Sequence, residues 1–303
     1  MSATTFYDLI RKNKLKTYLF VFVITILLAV IGYVLIQVFN WGASGYIFFA
    51  FFIIFYNLIL YYNADKLALS LSGAKPASVD KYYQLHNVVE EVAIAAGVPK
   101  PKVYIIEDPS PNAFATGRNP NNSAIAVTTG LLNMMNRNEL QGVIAHEMAH
   151  IRNYDVLLMT IVAIVGGLIV LFRDLFFRYL FFFGGGRRDD RRRGEGNFIF
   201  LIIAIVLAII APILVFLIRA AISREREYLA DATGAEIIRD PEALASALEK
   251  IAKTNLKLKT ASEATAHLFI TNPFLKDRLN IEELFATHPP IQKRIARLRQ
   301  LTI

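Results

Sequence analysis

The sequence contains no cysteine. That excludes disulfides, thiolate-ligated zinc and thiol nucleophiles, and it fits a reducing compartment without requiring one. Histidine is scarce, with five residues, and charge is missing over a long stretch: the 48 residues from Thr17 to Ala64 carry none. Such a run, with 55% hydrophobic residues and a mean hydropathy of +0.42 over 303 residues, is too apolar for one or two soluble domains. Much of the chain is expected in lipid. The net charge of +8 comes without a nucleic-acid motif. Lys and Arg gather beside the apolar runs and near the C-terminus, where membrane orientation accounts for most of them, and no nucleic-acid partner is expected.

The uncharged stretch is broken by the turn-like Asn40-Trp41-Gly42-Ala43-Ser44-Gly45 and reads as a transmembrane helical hairpin within residues 1–64. Tyr18 to Phe39 alone gives about 33 Å of helix, enough for a ~30 Å hydrocarbon core. It is too long for a signal peptide. Arg11, Lys12, Lys14 and Lys16 stand before it, which puts the N-terminus and the chain from Asp65 onward in the cytoplasm. Two further apolar runs, Val156 to Phe172 and Phe198 to Ile218, make a second membrane pair within 156–218, the first of them short for a span. Four full spans would export the five arginines of the loop 187–193, against the positive-inside tendency. Either that loop is exported, or the third segment dips into the membrane and returns; four membrane segments with a cytosolic site is the expectation.

Between the pairs, Ser78 is expected to cap a helix ending at Gly97, with Leu85, Val88, Val89, Val92 and Ala96 on its apolar face and His86 as a packing or surface residue. Lys102 to Ile106 and Ser123 to Thr128 read as strands, with Asn112 to Thr116 a short edge strand between them. A helix capped by Asn138 and Gln141 then runs to about Asn153 and carries His146-Glu147-Met148-Ala149-His150. At roughly 100° per residue the two histidines share one face, where their imidazoles can grip one metal, and Glu147 points beside that face, where it can reach a metal-bound water. A catalytic zinc needs a third protein ligand and an open position for water. Downstream, Glu227 and Asp231 share a helical face, whereas Glu225 lies about 200° from Glu227. Glu227 is the better ligand candidate and Asp231 can fix a histidine tautomer. The same pair can equally be an ordinary charged helix face.

Together these pieces resemble the gluzincin metallopeptidases, specifically the membrane-embedded HtpX-type proteases related to the eukaryotic CAAX prenyl endopeptidases. The resemblance covers the hairpin, Asn112-Ala113-Phe114-Ala115, His146 to His150, two further apolar segments, Glu227 to Asp231 and His288-Pro289-Pro290. It implies that His146, His150 and Glu227 hold one Zn2+, that Glu147 is the catalytic base, and that His288 stabilises the developing oxyanion. It also implies that Arg294 lies near the site and that Asn112, Ala113, Phe114 and Ala115 bind substrate by strand addition. The expected architecture is mainly α with a small β-sheet: an integral membrane protein with about four membrane helices and a zincin-like catalytic domain divided between residues 65–155 and 219–303. If the helices continue into the membrane, His150 is ~9 Å from Val156 and Glu227 ~14 Å from Ile218 along the helix axis. The ligands then sit at the membrane face. The expected protein is a zinc endopeptidase of the prokaryotic plasma membrane that faces the cytoplasm and acts on misfolded or membrane proteins.

Three other readings stand beside it. A CAAX prenyl-peptide protease needs a larger chamber than four apolar runs supply. An inactive scaffold or chaperone would not need an intact base and ligand set. A transporter or channel would need ionisable groups within the spans, and the four runs contain none. Residues 253–286, with His267, carry no readable role, and nothing in the sequence sets the oligomeric state.

Overall fold

The computed structural model of the chain describes residues 6–162, 164–165, 224–254, 256, 268–270 and 289–301. Its first two elements are α1 (Phe6–Phe39) and α2 (Gly42–Leu71). They turn about each other in two residues, with Asn40 (φ 57°) and Gly42 (φ 58°) in the left-handed region. Both are long and apolar enough to cross a bilayer, over Ile10–Gln37 and Gly42–Leu71. Large apolar side chains face outward along the pair, Phe51 at 70% exposure and Phe55 at 66%. Lipid solvates such a surface; water does so at a penalty.

The last turns of α2 lie outside the uncharged run and lead into the catalytic layer. There β1 (Lys75–Pro76), β2 (Lys102–Ile106), β3 (Ala113–Asn119) and β4 (Asn122–Thr128) form a mixed sheet in the order β1-β2-β4-β3. β2 and β4 are parallel, Val103 opposite Ile125; β3 and β4 are antiparallel, Ala113 opposite Val127. Both faces are covered. Val103, Ile105, Ala113, Ala115, Ile125 and Val127 pack towards the helices α3 (Tyr83–Ala96) and α5 (Arg137–Arg152). Ile106, Phe114, Ala124 and Ala126 pack against Ala68 and Leu69 of α2 and against Leu268 and Phe269. Burial on both sides explains why these strands show no polar alternation.

Two helix starts differ from the sequence reading. α3 begins at Tyr83, after a turn in which Tyr82 N–H donates to Ser78 O, so Ser78 opens a turn and not the helix; its end at Gly97 (φ 68°) agrees. α5 is capped by Asn136 and Glu139 rather than by Asn138 and Gln141. Asn136 Oδ1 accepts from Glu139 N–H (2.9 Å) while Glu139 Oε2 accepts from Asn136 N–H (2.8 Å). The buried Glu139 also takes Lys250 Nζ at 2.6 Å and Ser246 Oγ at 2.8 Å. This pairing fixes the start of the metal-motif helix to a neighbouring helix, a reward the Asn138 register does not offer.

The short α4 (Thr129–Met134) precedes α5; α6 (Arg224–Ile238), α7 (Pro241–Lys253) and α8 (Ile291–Leu298) complete the described elements. α6 approaches α5 at Gly234, where a Cβ would lie 2.9 Å from His146 N, and α7 approaches it at Gly142, where a Cβ would lie 2.5 Å from Leu244 N. Only glycine permits such approaches. The helical residues 156–162 follow α5 directly and pack Leu157, Leu158, Ile161 and Val162 on Phe20 and Ile24 of α1. About half of the third apolar run, all of the fourth and the loop 187–193 lie outside the described residues, so among these the membrane portion comprises two candidate spans.

Candidate metal centre

α5 places His146, Glu147 and His150 in the interior, each with 3% exposure or less. Glu227 arrives from α6. One ligand atom from each of His146, His150 and Glu227 lies within 4.8 Å of the others. The two Nε2 atoms stand 3.2 Å apart, and the Glu227 oxygens lie 3.8 Å from His146 Nε2 and 3.7 Å from His150 Nε2. Ligands at about 2.0–2.1 Å from a tetrahedral zinc are roughly 3.3–3.4 Å apart. The donor set and spacing fit that ion.

Each imidazole is held from behind by a carboxylate. His146 Nδ1–H donates to Asp231 Oδ1 at 2.9 Å, and His150 Nδ1–H donates to Asp155 at 3.1 Å. Asp231 is gripped in turn by Arg294, with Nε at 2.9 Å and Nη2 at 2.6 Å. Arg294 Nη1 donates to Ile270 O at 2.7 Å. Carboxylate anchoring of Nδ1 leaves Nε2 as the free ligand atom on both rings. Burial, reinforced by the Arg294 charge, lowers His146 below the ordinary histidine range. Burial also pulls on His150, but Asp155, with Glu227 and Glu147 beyond it, outweighs this and pushes it up to about 10. As free imidazoles the two therefore differ: one is ready as a base, and the other yields a proton when a metal binds.

Glu147 is fully enclosed, and burial, with Glu227 nearby, raises its carboxyl to about 7. It accepts a hydrogen bond from the Ala115 N–H of β3, while its Oε1 has no partner among the described residues. A buried carboxylate with one oxygen free and a pKa near neutrality suits proton transfer.

Residues 80–302 match the profile of Peptidase family M48. The chain belongs to peptidase family M48. Its M48 relatives include a "Protease HtpX homolog" of Caldanaerobacter subterraneus subsp. tengcongensis, 59% identical over the whole of both chains. Another, from Pyrococcus furiosus, is 46% identical over 95% of this chain and 96% of its own. The crystal structure of S. mikatae Ste24p shares the fold at a TM-score of 0.50 and 18% identity, covering 96% of this chain and 67% of that one. A buried His-His-Glu cluster in an M48 chain of this kind makes the protein a membrane-bound zinc endopeptidase.

The structure of this M48 peptidase thus brings together His146, Glu147, His150, Glu227, Asp231 and Arg294. It places Asn112, Ala113, Phe114 and Ala115 at the sheet edge beside them, whereas His288 lies outside the described residues. Asp155 went unnoticed in the sequence. The signal was there: a lone carboxylate five residues after His150, at the threshold of an uncharged run. What brings it back is Tyr154 in the left-handed region (φ 58°), which reverses the chain under His150.

Proposed function

We propose that the protein cleaves polypeptides held at the cytosolic face of a prokaryotic inner membrane, chiefly membrane proteins and misfolded chains attached to the bilayer. One observation carries the location. Asp155, which orients His150, is followed at once by the helical residues 156–162 that pack on the membrane hairpin, so the carboxylate behind one ligand and the helix packed on the hairpin are adjacent in sequence.

In this reading His146, His150 and Glu227 hold one zinc ion. The ion supplies Lewis acidity towards the scissile carbonyl and the attacking water. Glu147 Oε1 takes the proton of that water and delivers it to the leaving amine. His288 donates to the developing oxyanion, and Asp231 and Asp155 keep the histidine tautomers fixed, with Arg294 keeping Asp231 in place. Substrate adds as a strand to β3, whose outward positions are Ala113, Ala115 and Gly117. Ala113 O already accepts from Ile270 N–H at 3.0 Å, Ala115 N–H donates to Glu147 and Gly117 N–H points to Thr160 Oγ1 at 3.4 Å, so on this side the Ala115 carbonyl is the group offered to a substrate N–H. Backbone pairing of this kind tolerates many side chains.

The test compares one cleavage sequence presented on a membrane-anchored protein and on a soluble unfolded chain, with enzyme in proteoliposomes. The anchored substrate is expected to be cut faster; equal rates would remove the membrane-face assignment.

A further inference from the structure

Arg226 precedes Glu227 on α6, is 7% exposed, and its Nε, Nη1 and Nη2 have no hydrogen-bond partner among the described residues. A guanidinium carries five donors in a rigid fork, and leaving them all unmet in the interior calls for a missing acceptor. Two carboxylates lie within its electrostatic reach, Asp155 and Glu227, but the first is committed to His150 and the second to the metal cluster. Glu225, next in sequence, is exposed.

Like charges gather beside it. Lys16 of α1 is close enough to feel Arg226 and Lys12 together, and Glu225 more weakly. Lys16 is the last charged residue before the uncharged run, which sets it at headgroup depth. α1 is fixed there by Asn13, one turn earlier, whose Nδ2 donates to Asn153 O at 2.9 Å. In the same junction Asn153 Nδ2 is a second buried donor without a partner among the described residues. A buried fork of donors, a nearby ammonium and a buried amide are the recognition chemistry of a phosphate oxyanion.

We infer that Arg226 and Lys16, at the junction of α1, the loop 153–155 and α6, form a binding site for a phosphate group, of the kind presented by anionic phospholipid headgroups or by free phosphate. A headgroup seated there ties the membrane hairpin to the helix that carries Glu227. The bilayer then becomes part of the support of the metal centre.

The zinc-loaded full chain tests this in two arms. Its thermal midpoint is measured in nanodiscs of phosphatidylcholine with and without phosphatidylglycerol, and in detergent with inorganic phosphate titrated against sodium chloride at constant ionic strength. A saturable rise in the lipid arm alone assigns the site to a headgroup; a rise in both assigns it to phosphate from either source. Arg226→Gln is expected to weaken the response about tenfold and Lys16→Gln by less, with zinc content unchanged, whereas Arg11→Gln, exposed on α1, leaves it intact. No saturable rise in either arm, or an undiminished one in both Arg226→Gln and Lys16→Gln, overturns the site and leaves water as the partner of Arg226. Should Arg226→Gln fail to hold zinc, the Lys16→Gln result decides alone.

Discussion

The membrane hairpin and the metal centre break opposite rules. Along α1 and α2, Phe, Leu and Tyr side chains face outward, while at the junction of α5, α6 and α8 the interior holds His146, Glu147, His150, Glu227, Asp231 and Arg294, none more than 4% exposed. Each arrangement is unstable in water by itself. Lipid removes the conflict for the hairpin, and mutual pairing removes most of it for the site, where every imidazole has a carboxylate and the guanidinium has two. The comparison teaches that stability is local in the hairpin and collective in the centre. A change at one hairpin position should stay there, whereas a change at one polar group should reach its neighbours.

The largest expected effect is at Glu147. Glu147→Gln should lower peptide hydrolysis by about 10^2–10^4-fold, with zinc retained, as read by metal content and kcat. The same variant sharpens the electrostatic side. Burial raises the folded-state carboxyl to about 7, so the unfolded chain ionises first as pH rises, and the native state loses stability between the ordinary carboxylate range and about 7. Removing that group in metal-free protein should therefore raise Tm at pH 8 and change it little at pH 4. An equal rise at both pH values would mean that packing, not charge, is at work.

Next in size are the two carboxylates behind the histidines. Asp155→Asn and Asp231→Asn should each weaken zinc binding by about 10–100-fold, measured by competition with a chelator. Asp231 is the more connected, since Arg294 is bidentate on it, so Asp231→Asn also leaves a buried guanidinium poorly paired and should lower Tm further than Asp155→Asn does.

How much of this was visible in the residues follows the same division. The hairpin was legible because lipid solvation depends on local composition, and 48 uncharged residues from Thr17 to Ala64 leave few alternatives. The two histidines were legible because His146 and His150 obey helical spacing, whereas Glu227, spaced with Asp231 as any charged helix face can be, was singled out by the family resemblance. Asp155 was not, because its role depends on a left-handed residue at Tyr154 that no periodicity announces. Nor was the cap at Asn136, whose advantage over Asn138 comes from Lys250 and Ser246, more than a hundred positions away. Interactions that close over long loops leave no local trace, and Arg226 belongs to that class: its sequence neighbourhood reads as an exposed charged helix, while its side chain is buried.

The smallest expected effect, at Phe51, tests the comparison most directly when set against a large one at Phe114, because the pair uses one chemistry in both regions. Phe51 on α2 is 70% exposed and Phe114 on β3 is 0% exposed, where its ring meets Phe269 edge-on at 5.2 Å between centroids. Phe114→Ala should cost about 3–5 kcal/mol and loosen the strand beside Glu147, so activity falls with stability. Phe51→Ala in lipid exchanges one apolar surface for another and should fall within about 0.5 kcal/mol of the parent. Tm and hydrolysis rate in proteoliposomes read both variants. A loss at Phe51 approaching that at Phe114 would mean that this face of α2 packs against protein rather than lipid, either a second chain or residues of this one, and the hairpin would then share the collective stability of the centre.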